Sequence, residues 1–540
     1  MSEKDDPKIP KHPQALTRRE FLRFSGLFGL AVGAAPILSA CSQESATPEA
    51  LVPTDTTVPT PSGPKILKIR GSNIPSVDPA YMVGGETLII DIVFSGLVIQ
   101  KPNSYEWTPD LAESIEQSED GKEISFKLRE GVQWQKGYGE VTTEDVKFSF
   151  ERIADPAKES PYATDWLTLD HVEIIDKYNG KIILTEPFAP LWTSTLPVNS
   201  GRIVCKKHIE EVGDASLTPV GSGPYIFDEL IPDQKVILKR NPDYYGEQPY
   251  FDEIHHFIIE DNQAAEVALE AGEIDYTSIS LASIKQFESN PNFIVDKRPG
   301  LFYSWVGLNV ENPKLQDINV RQAIRYGIDP NQILAAAYFG EAERGNAMIP
   351  PGLIGDWTDA PQYERDVEKA KEYLAKAGLE SLDLEIISGQ TAESKIWAEV
   401  IQQNLAEVGI NVTINQLDAS SAWQAGFGDN GKNLELFSMT FSMYPDPSWA
   451  TMWFTCDQVG VWNWQRYCNE EFDQLHLAAV MELDPQKRND MYIRMQEIID
   501  EAVDMIWITH GVDVVAYKPN IIPARVPHGQ AQLWNFKAKE

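Results

Sequence analysis

The stretch EISFKLREGVQWQKGYGEVTTEDVKFSFERI, residues 123–153, changes its backbone instruction twice. Residues 123–129 alternate polar with apolar side chains. That period of two puts Ile124, Phe126 and Leu128 on one face of a half-buried strand. Gly131 marks a turn. Thr142 followed by Asp145 is close to a capping box and opens a helix predicted to run through Arg152.

Working outward, the same two periods recur without a repeat at any fixed spacing. ILKIR at 66–70 and KVILKR at 235–240 read as strands. Residues 261–271, 317–326, 367–377, 469–481 and 485–502 read as helices. Apolar residues at 396, 397, 400, 401, 405 and 408 form one stripe at helical spacing, with Trp397 read as core. INVTINQL at 410–417 follows as a strand, and a helix-to-strand unit of this kind is typical of mixed α/β lobes. A strand at 512–516 and a Pro-rich tail end the chain.

The N-terminal residues carry a different message. TRREFLR at 17–23 includes the twin arginines Arg18 and Arg19, and no charge follows until after Cys41. The uncharged run 24–40 is shorter than the roughly 20 residues of a membrane span. A basic patch, a short apolar run and small residues at its end make an export signal. The pattern resembles a Tat signal closed by a lipoprotein signal-peptidase box, LSAC at 38–41, which implies that Cys41 is lipidated. Thirteen of the 23 residues from 42 to 64 are Ser, Thr or Pro. Such a segment buries too little apolar surface to order itself and reads as a tether.

The 500 residues from 41 onward are too many for one hydrophobic core and suit two or three domains. A net charge of −35 disfavours nucleic acid and anionic lipid headgroups as partners. Cys456 and Cys468 are close enough to pair in an oxidising compartment, leaving Cys205 buried and unpaired. No CxxC occurs, hence no zinc framework.

Several landmarks then stand in one order. They are residues 111–153, PVGSGPYIF at 219–227, RNPDYYG at 240–246, LEAGEIDY at 269–276, LNVENPKLQDINVRQAIRYGID at 308–329 and YPDP at 444–447. Together they resemble the extracellular solute-binding proteins of family 5, the peptide/nickel-type receptors of ABC importers. One departure stands out: the family's Asp-Gly after the tryptophan is replaced by residues 135–139, QKGYG, expected to alter only a surface turn.

The resemblance implies a two-lobed α/β, periplasmic-binding-protein-like fold with an extra inserted domain. Residues 1–41 would be the signal and 42–64 the linker. Residues 65–110, 215–308 and 518–540 would form the first domain of lobe 1, with 111–214 inserted in it, and 309–517 would form lobe 2. Two crossing strands, near Leu308 and Tyr517, would be the hinge between lobes that close on a solute.

In peptide-binding relatives an acidic residue three positions before the Asp-Pro pair grips the peptide's amino group. Here that position is Met443. The position of a carboxylate-binding arginine falls on Ser388, with Gln390 nearby, and Arg365 and Lys395 are the alternative cations. A buried terminus without a partner costs several kcal/mol, which argues against a zwitterionic dipeptide held in that mode. What the region offers is aromatic faces and hydrogen-bonding groups: Tyr303, Trp305, Ser442, Tyr444, Trp462, Asn463 and Trp464. These suit a sugar, or an uncharged or weakly charged amphiphile. Asp446 is expected to cap the following helix.

His255 and His256 sit in a strand pattern and point to opposite faces, so no metal site is expected. No G-x-S-x-G elbow or Walker loop is present, and neither a catalytic residue nor a cofactor is expected. The expected protein is a monomeric, lipid-anchored receptor on the outer side of the cell membrane, facing the periplasm or exterior. It would capture a peptide, oligosaccharide or related solute for an ABC permease and its ATPase. An exported hydrolase on the same scaffold and a solute sensor without transport are the alternatives.

Overall fold

The structure is a computed structural model that describes residues 63–82, 87–213 and 217–539. Arg18, Arg19, Cys41 and nearly all of the segment 42–64 lie outside the described residues.

Two large sheets organise the body. The first has seven strands in the order Tyr225–Ile231, Lys235–Arg240, Glu253–Ile258, Ile66–Gly71, Tyr276–Ser278, Val512–Tyr517 and Ile294–Pro299. Ile66–Gly71 pairs in parallel with both of its neighbours, and the remaining pairs are antiparallel. The second has five strands: Ile410–Gln416, Leu382–Ser388, Leu436–Ser442, Phe302–Leu308 and Met505–Thr509. A four-stranded antiparallel sheet built from residues 112–184 has its own core around Phe126, Phe150 and Trp166.

The quoted stretch folds as its periods dictate. Residues Glu123–Leu128 form a strand with Ile124, Phe126 and Leu128 buried. Thr142 and Asp145 cap the helix Thr143–Ala154 reciprocally. Asp261, Asp317, Asp366 and Asn469 likewise accept backbone N–H groups at the starts of their helices. The helix expected at 396–408 begins earlier, at Ala392, because Thr391 accepts the Ser394 N–H. One expectation is corrected. Gln135 is no surface residue: its amide donates to the carbonyl of Tyr225 at 2.9 Å, tying this turn to residues 221–225. There Gly221 touches Val93 so closely that a Cβ would lie 1.8 Å from its carbonyl oxygen. The Pro-rich tail packs into the first core through Leu533 and Phe536, and Arg525 is wholly buried.

The chain passes between the two large sheets twice. Strand Ile294–Pro299 leads through residues 300–301 into Phe302–Leu308, and Met505–Thr509 leads through 510–511 into Val512–Tyr517. Leu308 and Tyr517, where the hinge was expected, are the far ends of those strands. The passages run side by side: His510 Nδ1 lies 3.1 Å from the Phe302 carbonyl oxygen, and Gly300 N–H donates to Gly511 O at 3.4 Å. Gly511 adopts a φ of 69°, a conformation glycine takes at little cost.

Candidate functional site

The five-stranded sheet is apolar on both faces. On Phe302–Leu308, Val306 and Leu308 pack into one core, while Tyr303 and Trp305 pack into another with Phe437 and Phe454. Tyr303 and Trp305 were expected to touch solute. They lie instead wholly inside the lobe, stacked at 5.5 Å, with Phe441 5.1 Å from Trp305. The alternation of the strand puts both on one face, opposite Val306 and Leu308, and that face packs into the aromatic core. Their role is to back a wall of half-buried aromatic rings.

That wall is completed by the loop that the Cys456–Cys468 disulfide closes. Trp462 on this loop meets Trp423 at 4.5 Å and Trp453 at 5.0 Å. Asn463 is buried and spends its amide on the carbonyls of Phe454 and Tyr467, so it shapes the loop rather than facing outward. Trp464 is buried with its N–H on the Val461 carbonyl.

The remaining expected residues divide. Ser388 is buried and donates to the Ser394 carbonyl at 2.7 Å, fixing the first turn of helix Ala392–Ala406. Gln390 and Ser442 are exposed. Met443 is buried in the aromatic cluster. Tyr444 is half-buried, edge-on to Trp449 at 4.5 Å. Asp446, expected as the cap, precedes the N-cap Pro447; it accepts the Ser448 N–H at 3.0 Å and also forms a buried ion pair with Arg488. Arg365 is committed to Gly327 O at 2.9 Å and to Glu407, and Lys395 is exposed.

Two cavities adjoin these residues. The larger, about 400 Å³, is lined by Trp397, Trp423, Trp464, Phe437, Thr391 and Ser438 among others. The smaller, about 60 Å³, is lined by Gln100, Asn199, Arg202, Gln530, Gln532 and Tyr444 among others. Tyr444 thus reaches from the end of a five-stranded-sheet element to residues of the other side of the body. Trp423, Gln100, Asn199 and Gln532 were not singled out from sequence. Asp418 before the helix Ala419–Gly426 was a legible cap signal for the element carrying Trp423. The smaller cavity gathers residues hundreds of positions apart and left no local pattern.

The charges here are largely paired, although Arg202 Nη1 is buried without a protein partner. Arg202 donates to Asp91 at 2.8 Å, and Gln530 donates to the other Asp91 oxygen at 3.2 Å. Burial pushes the Tyr444 hydroxyl up, helped by Tyr162, Asp165 and Asp91, so it stays protonated at neutral pH. Burial likewise pushes Asp165 up to about 7, against the 2.6 Å hydrogen bond from Ser200. A carboxyl whose folded value is raised stabilises the fold fully below its unfolded value, and that stability is lost as pH rises toward 7. Asp165→Asn is therefore expected to raise the urea midpoint at pH 8 and leave it unchanged near pH 4. Each tenfold difference in proton affinity between the folded and unfolded carboxyl is worth on the order of 1.4 kcal/mol of that gain. Equal midpoint changes at both pH values would contradict this.

Among the described residues no group of three or more His, Cys, Asp and Glu is placed to hold a metal, and no helix is long and apolar enough to cross a membrane.

The family model of bacterial extracellular solute-binding proteins, family 5, matches residues 106–460. The dipeptide-binding protein of Escherichia coli (strain K12) is 26% identical over 479 residues, covering 80% of this chain and 87% of that protein. Among solved structures, HbpA2 from Haemophilus parasuis aligns with a TM-score of 0.78 at 25% identity, covering 88% of this chain and 100% of that one. The periplasmic binding protein DppA from Helicobacter pylori, in complex with the peptide STSA, aligns with a TM-score of 0.73 at 27% identity, covering 88% and 98%. With the family model matching most of its length, this chain belongs to the bacterial extracellular solute-binding proteins of family 5.

Proposed function

We propose that this protein is the lipid-anchored, extracytoplasmic receptor of an ABC importer. It captures a small solute between two lobes and delivers it to the permease. One lobe carries the seven- and four-stranded sheets, the other the five-stranded sheet. The observation that carries this reading is the pair of adjacent passages at 300–301 and 510–511 beside an aromatic-walled region. Two short connections between large bodies are the geometry of hinge closure around a ligand. Relatives named for dipeptide and di/tripeptide binding support a solute of that size. The twin-arginine patch and Cys41 support export and anchoring, and the segment 42–64 supports a tether between anchor and body.

Thermal denaturation against panels of peptides, oligosaccharides and metal chelates tests the reading. A true solute at 100 times its Kd adds about 2.7 kcal/mol by mass action and raises the melting temperature. A protein whose melting temperature stays flat against every panel is not a transport receptor.

A further inference from the structure

Resting on the receptor reading, we propose that the solute is an uncharged carbohydrate. One sugar ring sits in the Trp397–Trp423–Trp464 cavity, and hydroxyls further along meet the amides of Gln100, Asn199 and Gln532.

The smaller cavity carries the argument first. Gln100 Nε2, Asn199 Oδ1 and Gln532 Oε1 are all buried, all belong to residues lining it, and none has a protein hydrogen-bond partner. Buried polar groups in native proteins are almost always paired, and each exception asks for an explanation. Asn199 Nδ2 donates to the Pro79 carbonyl and Gln532 Nε2 to the Gln100 carbonyl, which fixes both amides, so the trio offers one donor and two acceptors. A hydroxyl both donates and accepts, which matches such a set. An ammonium or a carboxylate does not, because each needs partners of one kind.

Charge accounting points the same way. The buried ion pair at this cavity, Asp91 with Arg202, leaves Arg202 Nη1 buried without a protein partner, a further donor for a hydroxyl. Met443 stands buried among apolar and aromatic residues, and Ser388 is spent on its own helix. A peptide held with its amino group at Met443 would therefore leave that ammonium without a counter-charge, at a cost of several kcal/mol.

The larger cavity supplies the other half. Its volume of about 400 Å³ lies within the usual range for small-molecule sites of about 300–1,000 Å³. Indole faces and hydroxyls share its lining: Thr391, Ser394, Ser438 and Thr440, with Ser438 Oγ lacking a protein partner. Flat apolar faces beside hydroxyls fit a ring that is apolar on its faces and polar at its rim. Ser438 and Thr440 line this cavity and Tyr444 lines the other, so the run 438–444 connects them. Six extended residues span at most about 20 Å, which sets the reach of a solute touching both and calls for several linked rings.

Calorimetric titration of the purified protein tests this with neutral tetrasaccharides (β-1,4-glucan, β-1,4-xylan and α-1,4-glucan) beside zwitterionic di- and tripeptides. At least one tetrasaccharide is expected to bind. Trp423→Ala and Gln100→Met should each weaken it at least tenfold, while the melting temperature of unliganded Gln100→Met stays level or rises. Peptide binding without saccharide binding overturns the carbohydrate assignment and leaves the receptor reading standing. Saccharide binding that neither variant changes overturns the two cavities as its site. Failure of every solute in both classes overturns the carbohydrate assignment and leaves the receptor reading to the metal-chelate panel.

Discussion

Arg488→Met is expected to destabilise the protein by about 3–5 kcal/mol, the usual result of stripping one partner from a buried ion pair. The Arg488 guanidinium grips both oxygens of Asp446, at 2.9 and 2.7 Å, and also donates to the Ala479 carbonyl at 2.8 Å. Both side chains are almost completely buried. Burial alone would raise the Asp446 carboxyl, but Arg488, with hydrogen bonds from Thr193 and Ser448, outweighs it and holds the group below its ordinary value. A depressed carboxyl contributes stability that is fully present above the unfolded value near 3.9 and is lost as pH falls through the folded one. The gap between wild type and Arg488→Met should therefore be widest at neutral pH and shrink below pH 4. Tryptophan-monitored urea unfolding at pH 7 and at pH 3.5 reads this directly. The double variant Asp446→Asn with Arg488→Met should be less damaged than Arg488→Met alone, because no charge is left stranded. A double variant no better than the single one would refute the account.

The second large effect is expected at Arg525. This wholly buried arginine bonds the Asp296 carboxylate at 2.8 Å, the Asp513 carboxylate, and the Gly529 carbonyl at 2.7 Å. Asp296 and Asp513 lie on the neighbouring strands Ile294–Pro299 and Val512–Tyr517, the two that lead to and from the passages between the sheets. Arg525→Met removes the cation between them. Both carboxylates keep a quarter to a third of their surface in water, so the loss is discounted to about 2–3 kcal/mol. Arg525→Lys keeps the charge but not the planar fork, and should recover less than half of that. Hydrogen exchange should quicken at amides 294–299 and 512–517 in both variants. Exchange that quickens only elsewhere would show that this cluster does not hold the strands.

Elements with strong local signals were legible in the sequence. The helix Pro485–Ala502 stands where Asp484, Pro485 and its capped first turn dictate. The strand Lys235–Arg240 likewise matches its alternation. What escaped depends on non-local packing. Nothing in a strand's own pattern says whether an apolar face meets solute or packs into a core, and both faces of Phe302–Leu308 are packed, Tyr303 and Trp305 on one and Val306 and Leu308 on the other. Gln135 looked like a turn residue because its partners, the carbonyls of Gly223 and Tyr225, lie nearly ninety positions away. Arg488 was invisible as the partner of Asp446 for the same reason. Tyr444 and Trp462 were legible as candidates because aromatic residues cluster around them in sequence. The buried amides were not, since only folding brings Gln100 to Gln532.

The placement of the two passages also has an evolutionary reading. Residues 302–509 leave the seven-stranded sheet and return to it at neighbouring points, and their first and last strands pair directly, Ser304 opposite Thr509. A segment whose ends meet in this way is a cassette: it can be exchanged between relatives with only two junctions, each falling in a short connection. Recombination there would swap most of the aromatic wall in one event and leave the surface made by the other sheets unchanged. New diets would then be acquired by trading cassettes rather than by rebuilding the whole receptor.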